Sequence, residues 1–542
     1  MPGKELWSIA GSPIRTRLCC GERDRKKALH IIYNISHVNL KMNRLKIALL
    51  ALMTTASFST ATAGGLLTNT NQNIAFLRNP ARDGAIGIDG VYSNPAGVAF
   101  LRDGFHLSLN IQNAHQTRTI DTEFPLFIFN ANNPGSTTHH FKGTADVPVL
   151  PSIQAAYNKN RWSFQFNFGI TGGGGKCEFA DGLGSFEKVV SGMIGQNVAT
   201  VNGLYQKLAA AGIPGMSSHQ MGNGYAYDSY MRGRQYYFGF TFGAAYRLTD
   251  NLAVYGGLRM LYGNSNYYGY VKNINVEHIE NGVSQMVNAP QHFTDLAASL
   301  NQYAGMMEAM GKEAEAQQLI AAAQGATMLG TATQDIELNC DQTGWGVAPI
   351  IGVDYKVGNL NLGLKYEFKT RMRLKNKAAN SLSAENIEML SKFGDGKKVA
   401  EDSPALLTVG AQYSILPSVR VMAGYHHYFD TDTKQYMKDF QTDTNEYLLG
   451  AEWNINKYIE VSAGGQRTIY GNKDAGMNDI SFTVNSWTAG FGIGVNVAEN
   501  IKINAAYFET FYDDYNKISG TGMSDTFTRS NRVIGIGADF TF

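Results

Sequence analysis

The sequence predicts an all-β transmembrane barrel of fourteen antiparallel strands, with an N-terminal hatch in its bore and helices in its long outer loops. Three observations predict it. Apolar and polar residues alternate with period two along most of the chain, as in Trp162, Phe164, Phe166, Phe168 and Ile170 against Ser163, Gln165, Asn167 and Gly169. The breaks between these runs alternate between tight turns and long connections. No later segment offers the run of about 18 apolar residues that a membrane-spanning helix requires. Lipid cannot satisfy backbone N–H and C=O groups, so without helices only a closed sheet crosses it. A secreted β-sandwich would share the alternation, but its connections would not sort by length between two ends.

Residues 1–41 read as a start-site overcall or a basic extension, because a signal peptide follows them. Its basic head is Met42 to Lys46, its apolar centre Ile47 to Met53, and its cleavage site Ala61-Thr62-Ala63. Without residues 1–63 the chain carries 36 basic and 42 acidic residues, a net charge near −6. Nothing in that balance suggests nucleic acid, which asks for a clustered basic face. Of the four cysteines, Cys19 and Cys20 leave with the leader; whether Cys177 and Cys340 pair is left open by spacing.

Residues 64–103 fit neither strand nor lipid. Their Gly, Asn and Pro, including Asn79-Pro80-Ala81 and Asn94-Pro95-Ala96, suit compact irregular backbone. Such backbone is tolerated at membrane depth only when protein shields it or a wet cavity adjoins it. It reads as a hatch in the lumen of a barrel formed by residues 104–542.

The strands fall near 104–117, 148–158, 161–171, 233–247, 251–270, 343–356, 360–371, 404–415, 418–429, 445–455, 458–469, 482–497, 500–513 and 529–542. Short turns such as Asn158-Lys159-Asn160 lie at one end, and long loops, roughly 172–232 and 271–342, at the other, as in outer-membrane barrels. Trp453, Tyr458, Tyr246 and Tyr355 fall where an interfacial aromatic girdle belongs. The last strand places Ile534, Ile536, Ala538, Phe540 and Phe542 on one face.

The third strand ends in Gly172-Gly173-Gly174-Gly175-Lys176-Cys177. A phosphate cradle would need Gly at Ile170 and Ser or Thr at Cys177, and a helix after it. Glycine in a strand marks a bulge or bend instead; these four read as a kink or as the start of a flexible loop. Leu296, Leu300, Tyr303, Met306, Met307 and Met310 recur at helical spacing within 293–328, and Ser383 to Leu390 reads as a short capped helix.

By the alternation, Arg259, Lys365, Glu367, Arg420, Glu446 and Glu452 point inward. His426-His427 sits in a strand, so its rings point to opposite faces; His139-His140 reads as a solvated loop pair. No nucleophile elbow or zinc-ligand spacing stands out, so neither a catalytic residue, a metal nor a cofactor is expected.

The Asn94-Pro95-Ala96 motif at the end of a hatch, the strand count and the aromatic C-terminus together resemble the FadL family of long-chain fatty acid outer-membrane transporters, which includes aromatic hydrocarbon transporters. The resemblance implies passive uptake of hydrophobic small molecules by a non-enzymatic barrel: a monomer in bacterial outer-membrane lipid, inserted by machinery that reads Phe542. It implies a gate at Asn94, Pro95 and Ala96, and a third-strand kink, here Gly172 to Gly175, that opens the wall for lateral release into the bilayer. It further implies a capture groove on loop helices, with Met306, Met307 and Met310 as candidates, and basic contacts to a ligand carboxylate, with Arg259, Lys365 and Arg420 as candidates. The readings from other classes are an open porin, and a surface haem receptor or adhesin that uses the long loops.

Overall fold

The computed structural model describes residues 71–210, 212–381, 388–434 and 441–542. The expected extension, signal peptide and first hatch residues, and most of the expected helix at Ser383 to Leu390, lie outside them. Fourteen long strands close into one antiparallel barrel. They are β1 (Gly104–Glu123), β2 (Thr138–Lys159), β3 (Trp162–Phe179), β4 (His219–Arg247), β5 (Leu252–Glu280), β7 (Ile336–Val357), β8 (Leu360–Glu367), β11 (Ala405–Leu416), β12 (Val419–Phe429), β13 (Thr444–Asn454), β14 (Ile459–Ile469), β15 (Ser486–Ala498), β16 (Ile501–Tyr512) and β18 (Met523–Thr541). Closure is direct: β1 pairs with β18 from His106↔Thr541 to Glu123↔Ser524. Four short strands extend the rim: β6 (Val283–Asn288), β9 (Arg373–Ala378), β10 (Lys398–Ala400) and β17 (Tyr515–Gly520).

The burial pattern is inverted relative to a water-soluble protein. Leu109, Ile111, Phe164, Leu258, Val347 and Leu449 are exposed, while Ser108, Asn110, Gln112, Gln154, Asn167 and Thr241 are buried. Along these stretches the strands turn an oily face outward and a polar face inward, the arrangement that lets a sheet meet lipid. Tyr355, Trp453 and Tyr458 stand exposed at the short-turn end.

Several strands outrun their expected bounds. β2 begins at Thr138 and β4 at His219, so His139-His140 lies in a strand rather than a loop. Lipid enforces period two over only about 9–11 residues; beyond it the ladder continues without that signature. The outer connections hold three long helices: α2 (Gly184–Ala210), α3 (Ala289–Ala309) and α4 (Glu313–Ala332). Asn288 caps α3 by accepting from the Gln291 N–H at 3.2 Å. In α3, Leu296, Leu300 and Met307 are buried with Phe293 and Ala304, whereas Met306 and Met310 face outward. α2 is docked through the buried Glu187, whose carboxylate accepts from Asn130 Nδ2 at 2.7 Å and Tyr225 OH at 2.8 Å and sits 2.8 Å from His139 Nδ1.

Candidate functional site

The inner half of the lumen is filled by the hatch. Its short helix α1 (Ile74–Arg78) and the turns after it are buried almost throughout. Wall glycines make this close seating feasible: a Cβ at Gly363 would overlap the Asp83 carbonyl oxygen, and one at Gly410 the Gly84 nitrogen. Asn94 bonds across to Asp354 at 2.5 Å and within the hatch to the Ala85 carbonyl at 3.2 Å. The carbonyl of Pro95 accepts from Gln165 Nε2 at 2.7 Å, and Ala96 is fully buried. The three motif residues thus lie where the hatch meets the wall.

Charge on the hatch is answered by charge on the wall. Arg78 meets Glu460 at 2.7 Å; Arg82 meets Asp89 at 2.7 Å and also Glu452; Asp83 lies 2.9 Å from His426 Nε2. The three basic residues expected to meet a ligand carboxylate belong to this network. Arg259 pairs with Glu367, Lys365 with Glu367 at 2.7 Å, and Arg420 with Glu452 at 2.9 Å and Glu460 at 2.7 Å. Lys365 also donates to the Tyr92 carbonyl at 2.8 Å. Buried charges persist only when paired, and here each has a carboxylate at hand.

The outer half of the lumen differs. Ile120, Phe179, Met231, Tyr267, Cys340 and Phe527 of the wall pack with Met477, Phe482 and Val484 of the 470–485 loop. Cys177 and Cys340 are free thiols within this apolar region and form no disulfide. A cavity of about 50 Å³ lies here, bounded by Arg118, Cys177, Phe179, Tyr267 and Ile480. Arg118 is buried, and among the described residues it has no carboxylate partner; it lies over the Phe482 ring at 5.5 Å. Its register partner on the closing strand is Arg529, also buried. Sequence reasoning missed both, although their inward placement follows from the same alternation.

Gly175 borders this cavity and a second one of about 70 Å³, lined by Val147, Leu150, Ile170, Gly173 and Gln112. The second lies where the wall is interrupted. β2 and β3 pair from Lys159↔Trp162 to Ile153↔Phe168, then only again at Thr144↔Glu178 and Gly143↔Phe179. The break covers residues 145–152 of β2, roughly 25 Å of strand. Its cause is legible. Pro148 and Pro151 have no N–H to give to a neighbour. Opposite them, the β3–β4 register shifts between Ile170 and Gly172 and again between Gly172 and Gly175. Gly173 adopts φ +90°, and a Cβ there would strike the Gln235 carbonyl oxygen. At the inner edge of the break, Gln72 of the hatch ties the two strands: its Nε2 donates to the Ile170 carbonyl at 2.6 Å, and its carbonyl accepts from Ser152 Oγ at 3.0 Å.

No family model and no curated protein matches the chain by sequence. Among solved structures, a FadL homologue from Pseudomonas aeruginosa superposes with a TM-score of 0.55 at 12% identity, covering 88% of this chain and 100% of that one. A deletion mutant of TodX, described as a monoaromatic hydrocarbon channel, superposes with a TM-score of 0.51 at 14% identity, covering 87% and 99%. The protein shares their fold.

Proposed function

We propose that the protein is a bacterial outer-membrane transporter, not an enzyme, that takes up hydrophobic molecules passively through a hatched barrel. The observation that carries this reading is a pair of cavities that share Gly175 as a border, one beside Arg118 and one at the break between β2 and β3. The FadL homologue and the hydrocarbon channel sharing the fold support the same substrate class. Transfer of apolar surface out of water supplies about 25 cal/mol per Å² of drive, so no ATP or cofactor is required.

In this reading Met306 and Met310 offer a polarisable, adaptable surface for capture. The ligand passes beneath the 470–485 loop, which must move because the two cavities bordered by Gly175 hold only about 50 and 70 Å³. Arg118 then receives a carboxylate, which singles out long-chain fatty acids and related apolar acids. A buried cation without a counter-charge gains most from an incoming anion. The ligand leaves through the β2–β3 break into lipid once the Gln72 tie is released, a step coupled to movement of Asn94, Pro95 and Ala96. Arg259, Lys365 and Arg420 hold the hatch in place instead of meeting ligand.

The test is binding of a fluorescent long-chain fatty acid to the purified protein in micelles, with mass spectrometry of co-purified lipophiles. Binding that is saturable and weakened in Arg118→Leu supports the reading. Equal binding by the variant removes Arg118 from the path, and recovery of only water-soluble ligands overturns the transport reading.

A further inference from the structure

The β4–β5 ladder continues far above the lipid-facing region and brings together three side chains that are distant in sequence. His219 is the register partner of Glu280, and His278 lies two residues before Glu280 on β5. Period two therefore puts all three on one face at the outer tip of this ladder, the end away from the 248–251 turn. His219 Nδ1 is 3.0 Å from His278 Nε2, and His219 Nε2 is 3.8 Å from Glu280 Oε1. One ligand atom from each of the three falls within 4.8 Å of the others.

We propose that this tip binds a divalent first-row transition metal ion of the zinc class through His219, His278 and Glu280. Two imidazoles and a carboxylate are a donor set of zinc sites that keep a fourth position open. Oxygen-seeking calcium and magnesium are disfavoured by the two nitrogens. At Zn–N lengths of about 2.0–2.1 Å, tetrahedral geometry separates two ligating nitrogens by roughly 3.3 Å, a few tenths beyond the spacing present. Glu280 is half exposed and free to swing in.

The surroundings suit a ligand better than an isolated hydrogen-bonded pair. His278 is only 7% exposed, and its Nδ1 has no hydrogen-bond partner among the described residues. His292, at the start of α3, has its ring centre 4.8 Å from that of His278, and its Nε2 is 3.1 Å from Tyr205 OH on α2. Tyr205 also stacks on His219 at 5.7 Å. An ion here therefore fastens the outer tip of this ladder next to both outer-loop helices, and it stands apart from the lumen and its hydrophobic ligand.

The test uses the full protein without an affinity tag, in micelles, titrated with Co²⁺ as a spectroscopic stand-in and then with Zn²⁺. One equivalent of Co²⁺ should give the visible bands of a four-coordinate site, and Zn²⁺ should erase them. His278→Ala and His219→Asn should each weaken binding about tenfold or more, Glu280→Gln by less, and His140→Ala, on an exposed strand position, not at all. Heat-modified migration on gels verifies the barrel in each variant. Absence of saturable binding overturns the proposal, as does wild-type affinity in both His219→Asn and Glu280→Gln.

Discussion

The two halves of the lumen solve opposite problems with the same residue type. In the inner half Arg78, Arg82, Arg259, Lys365 and Arg420 each sit against a glutamate or aspartate. In the outer half Arg118 sits among Phe179, Phe482 and Tyr267, with no carboxylate beside it among the described residues. A buried pair is costly to break, because one charge is left stranded; a stranded charge already present marks where a counter-ion is wanted. The contrast separates charges paired at the hatch and its wall from a buried charge that, in the proposed function, receives the ligand carboxylate.

The largest expected effect comes from breaking the inner half. Glu460 serves Arg78, Arg420 and Lys502 at once, each at 2.7 Å. Glu460→Ala should cost about 3–5 kcal/mol of hatch docking. It should be read as faster hydrogen exchange over residues 71–103 and intermittent conductance in planar bilayers; a silent, protected hatch would show that the wall pairs do not hold it. Next comes the outer half. A charge-assisted contact is worth about 1.5–3 kcal/mol, so Arg118→Leu should weaken fatty acid binding by about 10- to 100-fold, with a neutral hydrocarbon hardly affected. Equal loss for both ligands would mean that packing, not charge, is at work.

The wall break sharpens the comparison at a smaller scale. Replacing Pro148 and Pro151 by Val and Thr restores two N–H donors facing β3. Uptake by whole cells should fall severalfold while binding in micelles is unchanged; unchanged uptake would place the exit elsewhere. The smallest effect is expected at the rim. Met306→Ser with Met310→Ser should slow capture by less than about 1 kcal/mol, the scale set by partial apolar burial, and stopped-flow association rates would resolve it.

Much of the barrel was legible in the sequence for a specific reason. Residues such as Leu360, Leu362 and Leu364 alternate because lipid lies on one side and a polar bore on the other. The inward placement of Arg259, Lys365 and Glu367 follows from the same rule. What alternation does not encode is who meets whom. Arg259 and Lys365 were equally open to a ligand or to Glu367 until the staves were set in register. The helix α2, whose buried face carries Val190, Met193, Ile194, Val201, Tyr205 and Leu208, was not expected: residues 172–232 read only as a long loop, in a connection where no membrane imposes a pattern. The kink at Gly172 to Gly175 announced itself, but the matching half, Pro148 and Pro151 on the neighbouring strand, gains its meaning only from adjacency.

By itself, the sequence determined that this chain forms a closed sheet with an oily exterior, and that a compact Asn-, Gly- and Pro-rich segment precedes it. Period and composition are local properties, and lipid reads them locally. The tertiary structure alone decided that Arg118 meets an aromatic ring and no carboxylate among the described residues, where the wall comes apart, and that His219 meets His278 across 59 positions of chain. Those depend on strand register, which sums the constraints of every neighbouring ladder and is written at no single position.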